Sequence, residues 1–183
     1  MIRRLSSLLS PTVLLVWLTL AAGCGRAAPA TTSPASSSTP VVGPEHAFTV
    51  KVGDEPVTMR LAIHDSERAH GLMNVTAMPE NSGMLFVWTA PQRMSFYMRN
   101  TKIPLDIGYF DPAGILRETF PMYPGVEDPV MSTSSTLQFA LEMNQGWYER
   151  HGVKPGASLD FVALRDALRA RGYDPAKFLP ATP

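Results

Sequence analysis

The sequence predicts a mainly β fold, a β-rich α+β domain formed as a compact, barrel-like arrangement of about seven short strands with two or three short helices. Three observations predict it. Apolar and polar residues alternate at period two in several segments, as in strands with one buried face. Turn-forming Gly, Pro, Asn and Asp separate those segments at regular spacing. Helical signal is confined to short stretches.

The elements follow in order. Val57, Met59, Leu61 and Ile63 alternate with Thr58, Arg60 and Ala62 in a half-buried strand. Asp65 or Ser66 caps a helical turn that Gly71 ends, with Gly71 expected in a left-handed conformation. After Gly83, residues 84–88 form a continuous apolar run, the pattern of a strand buried on both faces. Met94, Phe96 and Met98 alternate with Arg93, Ser95, Tyr97 and Arg99, and Asn100 joins the apolar face if that strand continues. Segments 105–110 and 115–120 flank the hairpin turn Asp111-Pro112-Ala113-Gly114. Leu137, Phe139, Leu141 and Met143 alternate with Gln138, Ala140, Glu142 and Asn144. Residues 145–151 form a short helix that Gly152 ends, and Leu159, Phe161 and Val162 form a last strand. Residues 165–172 carry a weak apolar stripe, and Pro175, Pro180 and Pro183 then break the chain into a docked or fraying tail.

The N-terminus reads as an address. Arg3 and Arg4 precede an apolar run over residues 13–22, too short for a spanning helix, which needs roughly 20 residues. The run ends in Leu20-Ala21-Ala22-Gly23-Cys24, similar to the lipobox of bacterial lipoproteins, although Leu20 stands four places before the cysteine rather than three. Cys24 is the only cysteine, so a lipidated Cys24 leaves no idle thiol in an oxidising compartment. Gly25 follows it, which favours the outer membrane. Residues 25–44 hold four prolines and seven Ser or Thr without periodicity, a tether averaging about 25 Å end to end. The expected organisation is therefore a signal peptide over 1–23, an anchor and disordered linker over 24–44, one domain over 45–164 and a tail over 165–183. The expected partner of Cys24 is the membrane of the cell envelope, on its periplasmic side.

Composition narrows the function. Sixteen basic and sixteen acidic residues balance, so nothing draws the chain to a polyphosphate, and no nucleic-acid partner is expected. The single cysteine excludes a disulfide scaffold and a Cys-based zinc site. His46, His64, His70 and His151 lack metal-ligand spacing, and neither a nucleophile elbow nor a phosphate loop occurs. No cofactor or metal is expected.

A series of motifs then stands in order: Arg68-Ala69-His70-Gly71-Leu72-Met73, Met78-Pro79-Glu80-Asn81-Ser82-Gly83-Met84-Leu85-Phe86, residues 96–106 (Phe96-Tyr97-Met98-Arg99-Asn100-Thr101 and onward to Asp106), and Ala140-Leu141-Glu142-Met143-Asn144-Gln145-Gly146-Trp147. Tyr123-Pro124, Gly152 and Gly156 complete it. This series closely resembles the domain of unknown function family 192, also called uncharacterised protein family 0127. The resemblance spans about residues 45–163. Phe96-Tyr97 stands where many relatives carry Phe-Trp. The resemblance implies a small β-rich, barrel-like domain, often exported, and no settled activity.

Five polar residues embedded in these runs are the candidate ligand-binding set: Arg68, Asn100, Asp106, Glu142 and Asn144. They form either a structural network or a polar pocket for a small ligand, and they are expected to come together. Two further readings remain. Asp106 and Glu142 could serve as the acid/base pair of an envelope hydrolase. Soft methionine thioethers could handle copper, although Met94 and Met98 lie about 13 Å apart along a strand and flexible core packing accounts for methionine equally. Trp147 and Tyr148 are read as core, or as a stacking surface for a sugar or an envelope-protein partner. The leading expectation is a lipid-anchored, non-catalytic small-ligand-binding or cell-envelope accessory module.

Overall fold

The computed structural model describes residues 40–181. The expected signal peptide, Cys24 and most of the tether lie outside the described residues. Period-two alternation shapes the first pair of strands. β1 (Ala47–Val52) buries Val50 and Val52, and β2 (Glu55–Ala62) buries Val57, Met59 and Leu61. The alternation that marks β2 also runs through β1, a strand absent from the expected set. The helix α1 (Asp65–His70) follows, with the Glu67 carboxylate accepting the Ile63 amide at 2.7 Å and the His64 amide at 3.1 Å. Then come β3 (Ser82–Gln92), β4 (Ser95–Phe96), β5 (Leu105–Phe110), β6 (Leu116–Met122), β7 (Val130–Met131) and β8 (Leu137–Asn144). Two helices, α2 (Trp147–Arg150) and α3 (Phe161–Ala170), and a 3-10 turn at Pro175–Lys177 end the described chain. Among the described residues, no helix is long and apolar enough to cross a membrane.

Six strands form one sheet in the order β1-β2-β3-β8-β5-β6, and β4 and β7 pair in a second, small sheet. Only β2 and β3 run parallel, joined through α1; every other pair is antiparallel. The mainly β class is as expected. The large sheet is not closed into a barrel, since its edges β1 and β6 do not pair. Residues 157–160 instead clip the two edges together at one end. The Gly53 amide donates to Ser158 at 2.8 Å and the Asp160 amide to Lys51 at 2.9 Å. On the other edge the Leu116 amide donates to Ala157 at 2.8 Å and the Leu159 amide to Gly114 at 2.9 Å.

The strand expected over Leu159, Phe161 and Val162 is corrected by that clip. Asp160 accepts the Val162 and Ala163 amides through its side chain, which starts α3 at Phe161. Leu164, Ala167 and Leu168 then form its buried stripe, so the expected boundary after Leu164 falls inside a helix. The chain beyond it is docked: Phe178 and Leu179 belong to the core. The end of the tether is also held, because the Val42 amide donates to Ala170 at 2.9 Å. The strand expected through Met94, Phe96 and Met98 shrinks to Ser95–Phe96, and the chain turns at Asn100, where φ is 57°.

The sheet has an apolar cluster on each face. One side holds Leu85, Phe139, Leu141 and Met143 against Trp147, Tyr148 and α3. The other holds Phe86, Leu105, Ile107, Tyr109 and Ala140 against Leu72, Met94, Phe96 and Met98. Trp147 and Tyr148 are thus core. The methionines on both sides are buried packing residues.

Candidate functional site

Strand register decides where the candidate residues point. Residues paired across strands project to the same face of a sheet, and successive residues project to opposite faces. Glu142 pairs with Met84 and with Ile107, whereas Asp106 pairs with Met143. Glu142 and Asp106 therefore lie on opposite faces, which removes the acid/base couple expected of them. Asp106 accepts the Gly146 amide at 2.7 Å and fixes the turn into α2. Burial raises its carboxyl, only partly offset by the Gly146 amide and the Arg150 charge, with Glu149 raising it further.

The expected meeting of five residues is likewise corrected. Asn144 donates to the carbonyls of Met78 at 3.3 Å, Pro79 at 2.8 Å and Glu80 at 3.4 Å, so it ties β8 to the loop before β3. Asn100 is exposed in its turn, and its carbonyl accepts the Asn74 amide at 2.9 Å. The glycine-like φ at Asn100 explains its place in the motif better than a ligand does. Only Arg68 and Glu142 line the same cavity. Its volume is about 260 Å³, and it lies between α1 and the second face of the sheet.

The cavity is built from four kinds of wall. Arg68 to Met73 bring α1 and its glycine turn along one side. Gly71 has φ 50° and ψ −131°, outside the left-handed helical region expected for it, and a Cβ there would sit 3.4 Å from the Phe86 ring. Phe86, Trp88 and Phe96 form an aromatic wall. Phe96 meets Phe86 edge-on at 4.8 Å between centroids and Trp88 at 6.1 Å. Tyr97 crosses the mouth, its hydroxyl donating to the Ala69 carbonyl at 3.3 Å. Glu142 lies at the floor.

Glu142 is 5% exposed, and its Oε2 has no hydrogen-bond partner. Burial pushes its carboxyl up to about 8, so the acid is mainly neutral at pH 7. Arg68 does not neutralise it. The Arg68 guanidinium donates to the carbonyls of Ile63 and Val87, pairs with Asp65, and lies 5.1 Å from the Trp88 ring centroid. Strand periodicity marks Glu142 but not the aromatic wall, because Phe86 and Trp88 read as an ordinary apolar run and Tyr97 as an exposed strand residue. Another missed pair is Arg171 with Glu67. Arg171, 6% exposed, donates to the Leu61 carbonyl at 2.7 Å and to Glu67 at 2.5 Å. Burial alone would raise Glu67, but the Ile63 and His64 amides and the Arg171 charge together hold it below its ordinary value. Nothing local in the sequence marks that pair, whose members lie 104 positions apart.

The family model of DUF192, described as "Uncharacterized ACR", matches residues 48–161. The chain belongs to this family. No curated protein matches it. Two solved structures are similar. A Sinorhizobium meliloti protein described as a candidate transcription regulator shares 29% identity at TM-score 0.60, over 62% of this chain and 92% of that one. A Novosphingobium aromaticivorans protein of unknown function shares 31% identity at TM-score 0.60, over 71% of this chain and 98% of that one. Within this DUF192 domain, the four main sequence blocks that carry the resemblance meet at the cavity. They supply Arg68 to Met73, then Phe86 from the block that runs into β3, then Phe96, Tyr97 and Thr101, then Glu142.

Proposed function

We propose that this protein is a lipid-anchored, non-catalytic module of the cell envelope that binds a small molecule in the cavity between α1 and the aromatic face of the sheet. A single observation carries the binding role: a buried carboxyl with an unpartnered oxygen forms the floor of an open, aromatic-walled cavity. A buried polar group without a partner is destabilising by roughly 1–3 kcal/mol, and a ligand that donates a hydrogen bond to the carboxyl offsets part of that penalty. An apolar cavity with a few convergent polar groups is the usual form of a small-molecule site. The Arg3-Arg4 and Leu20 to Cys24 pattern supports export and anchoring, and a Pro/Ser/Thr-rich segment suits a tether. Of the five candidate residues, Arg68 and Glu142 belong to this site, while Asn100, Asp106 and Asn144 shape the loops around it. The regulatory description of the Sinorhizobium relative is not carried over, since the charge balance gives phosphate no attraction.

The test is native mass spectrometry of the protein purified gently in mild detergent. A retained small molecule is expected, and it should be lost in Ser95→Trp, which fills the cavity mouth from an exposed position. Equal retention by that variant would refute the site. For the anchor, Cys24→Ala should abolish fatty-acid labelling and move the protein out of the membrane fraction; unchanged labelling would refute it.

A further inference from the structure

The groups that face the cavity also restrict what it can hold. Its floor offers the carboxyl of Glu142, for whose Oε2 the chain supplies no hydrogen-bond partner. Its aromatic wall is formed by Phe86, Trp88 and Phe96. The Arg68 guanidinium already lies 5.1 Å from the Trp88 ring centroid, so Trp88 offers a ligand apolar surface, while Phe86 and Phe96 are the rings left to attract a second positive charge. Three of the five Arg68 donors are engaged by the chain's own oxygens, on Ile63, Val87 and Asp65, which leaves fewer for an anion. A volume of about 260 Å³ is at the lower end of small-molecule sites, which excludes a nucleotide or a long peptide.

Resting on the binding role proposed above, we infer that the ligand is a small organic ammonium ion with at least one N–H, its nitrogen donating to Glu142 and its apolar part lying along Phe86, Trp88 and Phe96. A quaternary ammonium has no N–H to give the Glu142 carboxyl, and a neutral donor would gain nothing from ionising it. An ammonium gains both contacts, because opposite charges attract strongly where water is excluded.

Binding is then coupled to a proton. The free protein holds Glu142 as the neutral acid at pH 6–7. The ammonium ion enters with its own proton retained, Glu142 ionises to face it, and one proton leaves to solvent. Affinity therefore rises about tenfold per pH unit until the free carboxyl is itself ionised, and then levels. The titratable and charged groups on the Glu142 face are Arg68 and His70 from α1, Tyr97 beyond β4 and Tyr109 from β5, whereas Asp106 and Tyr148 lie on the other face of the sheet. Burial raises Tyr109 and Tyr148 further from neutrality. Histidine as a residue type titrates near neutral pH, so His70→Gln is the control.

The experiment is calorimetric titration of the protein in mild detergent with benzylammonium, benzyl alcohol and benzoate. Each is measured at pH 6, 7 and 8 in two buffers of different ionisation enthalpy. The expected result is binding of benzylammonium alone, with about one proton released at pH 6 and about a tenfold tightening from pH 6 to 7. Glu142→Gln, which keeps the shape and the neutral state, should abolish the proton release and weaken binding at least tenfold. Trp88→Leu, which removes apolar wall, should weaken it by roughly three- to thirtyfold. His70→Gln should leave the proton count unchanged, and a lost proton there would move the coupling from Glu142 to His70. Tighter binding of benzyl alcohol or benzoate, blocked by Ser95→Trp, would overturn the ammonium class and leave the site standing. Benzylammonium binding that survives both Ser95→Trp and Glu142→Gln would overturn the site as well. No binding of any of the three at millimolar concentration would overturn the ammonium class, while the retained-molecule experiment separately decides the site.

Discussion

Two regions of the molecule exclude water, yet they treat buried charge differently. Where the end of α3 meets β2 and α1, Arg171 closes the helix end with its charge matched: it meets the Leu61 carbonyl and the Glu67 carboxylate, and Glu67 is in turn held by two amides. On the side covered by α1, Glu142 is as buried as Arg171 but has an oxygen with no partner and stays protonated instead. The first arrangement is what a finished core requires, because an unpaired buried charge is strongly destabilising. The second leaves a penalty in place beside a cavity. The fold satisfies one buried charge through three separate elements and leaves the other open, and that difference is what the proposed binding role rests on.

The largest effect should come from Glu142. Below about pH 4.5, its ordinary value, both the folded and the unfolded chain hold the proton, and stability is full. As pH rises toward about 8, the unfolded chain releases the proton while the folded chain keeps it, so stability falls through that window. Glu142→Gln should remove this slope and be more stable than the parent at pH 8.5 by on the order of 4 kcal/mol. Urea denaturation of both proteins from pH 5 to 8.5 checks it, and parallel pH profiles would erase the contrast between the two regions.

Arg171→Ala tests the satisfied side. It leaves Glu67 beside an empty space and frees the Leu61 carbonyl, so it should lower stability by about 3 kcal/mol at pH 7. Urea denaturation should show the loss shrinking as pH falls and Glu67 takes up a proton. A loss below 1 kcal/mol would mean that the pair is no better matched than Glu142.

Gly83→Ala tests how tightly the sheet face that holds Met143 is packed. A Cβ at Gly83 would meet the Glu142 carbonyl and the Met143 sulfur at 2.5 Å each. This is a packing requirement rather than a turn, and the added methyl should destabilise by about 2 kcal/mol, read as a lower melting temperature. Asn144→Ala removes donors to three loop carbonyls and should lower stability by about 1 kcal/mol, with faster amide hydrogen exchange over residues 78–81 as the specific sign. The smallest effect belongs to Ser95→Trp, an exposed site on the open face, whose melting temperature should stay within a degree or two of the parent.

Period-two alternation in 57–63 and 137–143, and the turn at Asp111 to Gly114 between two apolar segments, locate strands without reference to the rest of the chain, because they are properties of neighbours. Gly71 ends α1 for the same reason, whereas the cap expected at Asp65 or Ser66 falls one residue earlier, on His64, whose amide the Glu67 carboxylate accepts. The same rule fails at 159–162, where one carboxylate, Asp160, caps the following amides and turns an apolar run into a helix. It fails again at 94–100, where the chain needs a positive φ at Asn100 that alternation does not register. The motif blocks were enough to place the chain in its family and to mark Glu142. They were not enough to separate Glu142 from Asp106, because both are acids in apolar strands. That separation depends on the pairing of β8 with β5, which sets Ile107 opposite Glu142 and Asp106 opposite Met143, residues far apart in the chain. The sequence by itself thus determined the mainly β class, the central strands with their hairpin turn, and the family. Only the tertiary structure decided the strand order, the clip that stands in for barrel closure, and which buried acid faces a cavity. Hydrophobic periodicity is local, whereas the choice of face is made by hydrogen bonds to strands that the sequence does not place side by side.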